Sequence, residues 1–182
     1  MRFRYRASTT NQFLVAGSST GPFFIISGSA TRTRIVRRVE ISGYIATAAL
    51  GVLSVASRKF SAVPTGGTAT ALTRVPLDSA FPAAETDGLV QVYTAAPSGG
   101  TSLGTLKLHR AMAKNSTVAD GAPVSEARIL FDFSPRRKRA RVAPPGIYLH
   151  GTGQALVLNL AVGVTPTVSM SIMIEWDEEA GP

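Results

Sequence analysis

Residues 38–45 read RVEISGYI, and the alternation of apolar and polar side chains in this stretch decides the class of fold. In an extended chain Val39, Ile41 and Ile45 fall on one face and the polar residues between them fall on the other. A period of two is that of a half-buried β-strand, because a helix repeats every 3.6 residues. We therefore predict a strand here with one face on a core.

The same period of two returns elsewhere in the chain. It is found at residues 105–109, where Leu106 and Leu108 share a face, and at residues 169–176, where the apolar face ends at Trp176. Further segments rich in β-branched, aromatic and other apolar residues lie at residues 12–16, 23–27, 52–58, 69–75, 89–94, 127–133 and 155–162. Glycine- and proline-rich turns separate these candidates. The pattern predicts an all-β fold, a two-sheet β-sandwich that is jelly-roll-like.

Helices are expected to contribute little. The best candidate, residues 44–55, is interrupted by Gly51 and dominated by Ala, Thr and β-branched residues, and residues 80–85 favour at most one short helix or turn. Two similar strings, PTGGT at residues 64–68 and PSGGT at residues 97–101, each precede a predicted strand. We interpret them as an echo of similar hairpins, since two copies do not make a repeat protein.

The chain of 182 residues suits one domain. We predict a basic N-terminal arm at residues 1–10 and a β-sandwich domain at residues 11–182, with a basic loop at residues 134–146. The absence of cysteine excludes disulfides and cysteine-based zinc sites. No export signal or membrane segment is expected, because the apolar runs are too short.

Charge is unevenly placed along the chain, whose formal net charge is +8. Residues 1–39 hold seven arginines and no acid, whereas the acidic residues Glu175, Asp177, Glu178 and Glu179 lie near the C-terminus. The candidate partner-binding residues are the basic ones at two places: Arg2, Arg4, Arg6, Arg136, Arg137, Lys138, Arg139 and Arg141. Three interpretations stay open for them: a solvated surface, a contact with an acidic protein surface, and a phosphate contact.

Catalytic and metal sites are not predicted. His109 and His150 are the only histidines, and neither is accompanied by the spacing of a metal or catalytic set. Gly151-Thr152-Gly153 lacks the third glycine and the helix of a dinucleotide loop, so we predict a turn between strands. The C-terminal acids are expected to be solvated or to meet a basic neighbour, with a bound cation as the alternative. We expect no enzyme activity and no cofactor.

Several strings resemble a group of tailed-phage virion structural proteins, the head decoration or cement proteins. The matching strings are TATALTRVPLDS at residues 68–79 with Pro82-Ala83-Ala84, VYTAAP at residues 92–97 with Gly99-Gly100-Thr101 and Gly104, LHGTGQAL at residues 149–156 with Asn159, and IEWDEE at residues 174–179. Similar strings recur in this order in small proteins encoded among phage head genes. The resemblance covers roughly residues 35–179, and the basic loop at residues 136–141 departs from it.

The resemblance implies a jelly-roll-like protein on the outer surface of the virion, made in the host cytoplasm. It implies two kinds of partner: the major capsid protein, whose subunits it bridges, and further copies of itself in a homotrimer or homodimer. No membrane contact is expected. One alternative is a jelly-roll capsid protein whose basic arm contacts packaged nucleic acid. Another is a tail or fibre module that binds a receptor glycan, although Trp176 is expected in the core.

Overall fold

The computed structural model describes residues 2–15, 21–45, 50–114, 127–133, 146–160 and 167–180. Within these ranges all regular structure is β, and thirteen strands form two antiparallel sheets. The predicted all-β sandwich is therefore confirmed. No helix in these ranges is long and apolar enough to cross a lipid bilayer. Residues 79–80 form a turn at the start of residues 80–85, the segment for which a short helix or turn was considered, and residues 82–85 have no regular secondary structure.

The first sheet has five strands on its main path. In spatial order they are β10 (Ala127–Asp132), β4 (Arg32–Ile45), β13 (Val168–Ala180), β1 (Arg2–Ser8) and β7 (Arg74–Pro76). Two short strands extend this sheet: β2 (Phe13–Val15) pairs with β13, and β11 (Ile147–Leu149) pairs with β4.

The second sheet has six strands. In spatial order they are β6 (Thr68–Ala71), β8 (Val90–Ala95), β3 (Pro22–Ser27), β12 (Ala155–Leu160), β5 (Leu50–Ala62) and β9 (Thr101–Lys114).

Eight of these strands make a jelly roll. In chain order they are β1, β3, β4, β5, β9, β10, β12 and β13, and each strand pairs with its counterpart counted from the other end of this series. The pairs are β1 with β13, β3 with β12, β4 with β10, and β5 with β9. This is one long antiparallel hairpin rolled into two sheets, which is the jelly-roll arrangement. The predicted topology is confirmed.

Residues 63–100 are inserted between β5 and β9 and extend both sheets at one side. Strands β6 and β8 join the second sheet beside β3, while β7 joins the first sheet beside β1. The segment 69–75, predicted as one strand, therefore divides between the two sheets. The division lies at Leu72, whose side chain is buried in the core and whose N–H donates to the Val90 carbonyl at 2.9 Å.

The two similar strings at residues 64–68 and 97–101 pair with each other. Thr65 and Ser98 exchange two backbone hydrogen bonds of 3.0 Å, and this bridge joins the β5–β9 pair to the β6–β8 pair. The hairpin interpretation was wrong, because the two strings are the facing halves of one continuous two-stranded ribbon. The ribbon crosses the outer face of the second sheet and covers a small apolar cluster of Ile25, Phe60, Tyr93, Ala155 and Val157.

The main core lies between the sheets and follows the predicted alternation. Val39 and Ile41 of β4 are buried, and so are Met170 and Trp176 of β13. Strand β9 differs from the prediction, because Leu106 and Leu108 are exposed. Its opposite face contacts β10 instead: the Lys107 amine donates to the Asp132 carbonyl, and the His109 ring meets the Phe131 ring edge-on at 4.6 Å.

The predicted basic arm at residues 1–10 is not an arm, because most of it is strand β1 of the first sheet. Residues 2–8 form a strand between β13 and β7, because Tyr5 and Ala7 alternate with arginines and enter the core while the arginines stay outside. The sequence prediction treated the basic residues as an arm and so overlooked this alternation. It also overlooked β11 and the first half of β4, residues 32–37.

Candidate interaction surface

The three N-terminal arginines point outward from β1 toward the acidic strand β13. The antiparallel register places each arginine opposite a carboxylate. The ion pairs join Arg2 to Glu179 (2.6 Å), Arg4 to Asp177 (2.8 Å) and Arg6 to Glu175 (2.5 Å). Hydrogen bonding to the carboxylate raises the pKa of Arg2 and the pKa of Arg4. These candidate partner-binding residues therefore already have partners within the chain.

The row of charges continues across the outer face of the first sheet. The second oxygen of Asp177 accepts a hydrogen bond from Arg37 Nε at 2.9 Å. On β4, one carboxylate oxygen of Glu40 forms an ion pair with Arg38 at 2.8 Å, and the other forms an ion pair with Arg128 of β10 at 2.5 Å. One group of ion pairs thus joins β1, β13 and β4 through Asp177, and a second joins β4 and β10 through Glu40. A single exposed ion pair adds little to the free energy of unfolding, whereas several charges in one network can contribute more.

One C-terminal acid points the other way, into the core. The side chain of Glu178 is fully buried. Its carboxylate accepts hydrogen bonds from Arg34 Nε at 3.0 Å and from the indole N–H of Trp176 at 3.1 Å. Arg34, also fully buried, donates through Nη1 to the Ser27 carbonyl (3.0 Å) and through Nη2 to the Glu85 carbonyl (2.6 Å). The pair therefore fastens the inserted segment to the jelly roll.

A second arginine reinforces this fastening. Arg74 donates to the carbonyls of Glu85 and Gly88, so two guanidinium groups share the Glu85 oxygen. Burial lowers the pKa of Arg74, and the positive charge of Arg34 lowers it further. The C-terminal acids thus meet basic neighbours within the chain, which is one of the three interpretations given for them. No group of histidine, aspartate and glutamate in the described ranges has the arrangement of a metal site.

The second predicted basic cluster, Arg136, Arg137, Lys138, Arg139 and Arg141, lies outside the described residues. The two histidines are both in ring contacts. His109 packs on Phe131, and His150 stacks on Tyr148 while its Nδ1 lies 3.1 Å from the Thr33 hydroxyl. Residues 151–153 form a turn between β11 and β12, as predicted.

Most of the exposed large apolar side chains among the described residues lie on the outer strands at two opposite sides of the sandwich. We name the side with Leu103, Leu106 and Leu108 of β9 and Leu130 of β10 the β9–β10 edge. The β6–β7 edge comprises the four exposed residues of β6, then Val75 and Leu77. The sequence prediction did not identify either edge as a candidate surface. The available signal was the pair of leucines on β9, which period analysis assigned to the core.

A cleft of about 260 Å³ opens beside the β6–β7 edge, between residues 8–13 and residues 70–73. Hydroxyl and amide side chains supply its polar lining, and none of its lining residues is charged. It is smaller than most pockets that enclose a drug-sized ligand. The lining residues include no acid or base that could activate one of the cleft's hydroxyl groups for catalysis.

Comparison with known proteins identifies no family for this chain. No protein-family model matches the sequence, and no curated protein matches it. Two solved structures that align with the whole chain are infectious bursal virus derived T=1 particles (12% identity, TM-score 0.23) and the VP2 subviral particle of infectious bursal disease virus (14%, 0.22). The chain spans 41% and 43% of those two proteins. TM-scores this low carry no argument about this protein.

Proposed function

We propose that the protein is a structural component of a virus particle, a decoration or cement protein that binds the outside of a phage head and bridges major capsid protein subunits. The observation that carries the proposal is a jelly roll whose N-terminal arginines are bound within the chain while apolar side chains are exposed along its edges. Such a surface suits contact with other proteins better than contact with phosphate.

The physical role of such a protein is mass-action stabilisation. A protein that binds the assembled shell and not its separated subunits lowers the free energy of the assembled state. A rigid sandwich suits this task because little conformational entropy is lost on docking. As part of the proposal the protein acts in the virion, on the outer capsid surface, has no catalytic step and needs no cofactor.

The structure disfavours the alternative in which a basic arm contacts packaged nucleic acid. Arg2, Arg4 and Arg6 belong to a strand, and each has a carboxylate within 2.8 Å. A phosphate would have to displace those carboxylates. Among the basic residues predicted to bind a partner, we therefore assign the docking contact to residues 136–141 and a structural role to the N-terminal three.

The receptor-binding alternative also loses its best residue. Glycan sites usually present exposed aromatic faces, and Trp176, the single tryptophan, is fully buried and stacked on Tyr5 at 5.9 Å. Burial raises the pKa of Tyr5, and its hydroxyl donates to the Pro82 carbonyl at 3.0 Å. These two rings hold the inserted segment rather than facing a ligand.

The test is co-sedimentation of the purified protein with empty phage heads that lack it, over a series of salt concentrations. We expect saturable binding by the wild type. Replacing both Arg136 and Arg137 by alanine should weaken docking about tenfold or more and reduce its dependence on salt. The matched control, Arg2→Ala with Arg6→Ala, removes the same charge from residues with internal partners and should leave docking unchanged.

The proposal fails if the wild type does not co-sediment with heads at any salt concentration. Binding to double-stranded DNA with a steep salt dependence, together with no binding to heads, would move the assignment to the capsid-protein alternative. In that case log affinity should fall linearly with log salt, because each phosphate contact releases counterions.

A further inference from the structure

The cleft between residues 8–13 and residues 70–73 combines a polar rim with an apolar floor. Eight of its twelve lining residues carry a hydroxyl or a side-chain amide: Ser8, Thr9, Thr10, Asn11, Gln12, Thr70, Thr73 and Thr94. The other four are apolar, and two of them, Leu72 and Val92, are buried in the core. A third, Phe13, is half-buried and packs against the same core. Groups that form hydrogen bonds therefore surround an apolar base.

Much of the hydrogen-bonding capacity of this rim is not used within the described part of the chain. Five of its side chains make no hydrogen bond to another described residue: Ser8, Thr10, Asn11, Thr70 and Thr73. Gln12 uses its carbonyl oxygen, which accepts the Ser169 hydroxyl at 2.8 Å, so its amide N–H groups stay available. A ligand that carries hydroxyl groups can replace water at these positions.

Both walls of the cleft are held in place by hydrogen bonds to core strands. On one wall the Thr9 N–H donates to the Ile172 carbonyl at 3.0 Å, and the Thr9 hydroxyl accepts from the Ile172 N–H at 3.1 Å. On the other wall the Leu72 N–H donates to the Val90 carbonyl at 2.9 Å. A site that is formed before binding loses little conformational entropy when a ligand enters.

The lining excludes two classes of ligand. It contains no charged residue, whereas phosphate and carboxylate groups are usually bound by arginine, lysine or a helix N-terminus. A peptide that is added as a strand pairs along the edge of a sheet. This cleft lies instead where β1 and β6 end and where β2 and β7 begin.

The remaining chemistry is that of a neutral sugar. A sugar ring carries uncharged hydroxyl groups around its rim and C–H groups on its faces, and the cleft offers the complementary arrangement. A second depression of about 160 Å³ adjoins the cleft, and Ser8 and Thr9 line both. Its lining includes Ser42 and Ser171, whose hydroxyl oxygens lie 2.7 Å apart. A linked second sugar unit therefore has room beside the first.

We propose that the cleft binds a neutral saccharide of at least two units, with one ring between residues 9–12 and residues 70–73 and the next in the adjoining depression. The site binds without cleaving, because its lining holds no acid–base pair. The inference goes beyond the proposed role in a virus particle and does not rest on it, and Trp176 has no part in the site. Its test needs no phage head, so its failure and the failure of shell docking are separate results.

Nuclear magnetic resonance titration of the isotope-labelled full chain tests the proposal. The probes are the neutral disaccharides lactose, maltose, cellobiose and N,N′-diacetylchitobiose. We expect at least one of them to shift the amide signals of residues 9–12 and 72–73 saturably, with a Kd of about 0.1–10 mM. Thr70→Val with Thr73→Val removes two hydroxyls at nearly constant volume and should weaken binding about tenfold. The matched control, Thr101→Val with Thr105→Val, makes the same change on exposed residues of β9 and should leave binding unchanged.

The second sugar unit has its own variant. Ser171→Ala should weaken binding of the disaccharide several-fold and leave binding of the corresponding monosaccharide unchanged, because Ser171 lines only the adjoining depression. An equal effect on both sugars, or none on either, would overturn the placement of the second unit.

Three results would overturn the saccharide site itself. One is the absence of saturable shifts with every probe up to about 50 mM. Another is an affinity that is the same in the wild type and in the Thr70→Val, Thr73→Val variant. The third is a response of the same signals to a glycine–serine peptide and not to the sugars, which would assign the cleft to an extended peptide. Far-UV circular dichroism checks folding, and Asn11→Ala replaces the double variant if that variant does not fold.

Discussion

At the scale of single residues, the buried ion pair between Arg34 and Glu178 contributes most to the attachment of residues 63–100 to the jelly roll. Both side chains are fully buried, and together they contact Trp176, Ser27 and Glu85. Two ions cost free energy to remove from water, so the pair is tolerable only because nearly every donor and acceptor finds a partner. Breaking it from one side leaves the other charge buried.

Glu178→Gln should therefore lower the free energy of unfolding by about 3–5 kcal/mol, because it leaves the Arg34 charge without a counter-ion. Urea denaturation followed by far-UV circular dichroism measures the change. The neighbouring substitution Glu179→Gln is the matched control. It removes the same chemistry from a partly exposed pair with Arg2 and should cost no more than about 1 kcal/mol. Equal losses in the two variants would contradict the buried-pair account.

Asp87 gives a prediction about acid stability. Burial acts to raise the pKa of Asp87, but hydrogen bonds from the Ala30 amide (2.5 Å) and the Ser29 hydroxyl outweigh it, and the pKa is lowered from its ordinary value of 3.8. A lowered pKa in the folded state gives stability that is present above the unfolded value and is lost as pH falls through the folded value. Asp87→Asn should thus be less stable than the wild type near neutral pH, and the difference should shrink as pH falls below about 4. A difference that stays constant from neutral to acid pH would refute this assignment.

At the scale of elements, the crossing ribbon explains why two glycine pairs are needed. Gly66, Gly67, Gly99 and Gly100 all have φ between +73° and +80°. The second glycine of each pair also lies against the facing strand. A Cβ on Gly67 would lie 2.4 Å from the Ala95 carbonyl oxygen, and one on Gly100 would lie 2.7 Å from the Ala62 carbonyl oxygen. Around Gly66 and Gly99 there is open space.

The ribbon therefore contains its own control. Gly66→Ala should cost about 1–2 kcal/mol, because only the left-handed backbone conformation opposes a side chain there. Gly67→Ala should cost clearly more, by about 2 kcal/mol or above, since the added carbon meets backbone atoms that cannot move aside. Thermal unfolding of the two variants gives the comparison. Equal midpoints would show that the facing strands are not in close contact at this crossing.

Most strands of this fold are predictable from the sequence, and the exceptions have identifiable causes. The alternation in β4 and β13 reports burial directly, because one face of each meets the core. In β1 the alternation is between arginines and Tyr5 or Ala7, and its meaning depends on acids that lie more than 160 residues away in the chain. In β9 the leucines point outward because the opposite face contacts β10. Neither the pairing of the β1 arginines with distant acids nor the outward direction of the β9 leucines can be predicted from the residues of that strand alone.

At the scale of the molecule, the rolled hairpin brings the two ends of the chain together. Strand β1 lies beside β13, so the arginine-rich N-terminal strand neutralises the acidic C-terminal strand. The N-terminal arginines, which were candidate partner-binding residues, are therefore largely neutralised by ion pairs within the fold. What the described surface offers to partners is its edge strands, which carry exposed apolar side chains.

The most direct measurement of the central claim is the temperature at which phage heads lacking this protein release their DNA, with and without the purified protein added back. We predict that saturating protein raises the release temperature, because a ligand that binds the assembled shell and not the opened one stabilises the assembled state. Arg136→Ala with Arg137→Ala should require more protein for the same rise. Heads that bind the protein yet release DNA at an unchanged temperature, or that do not bind it, would contradict the account.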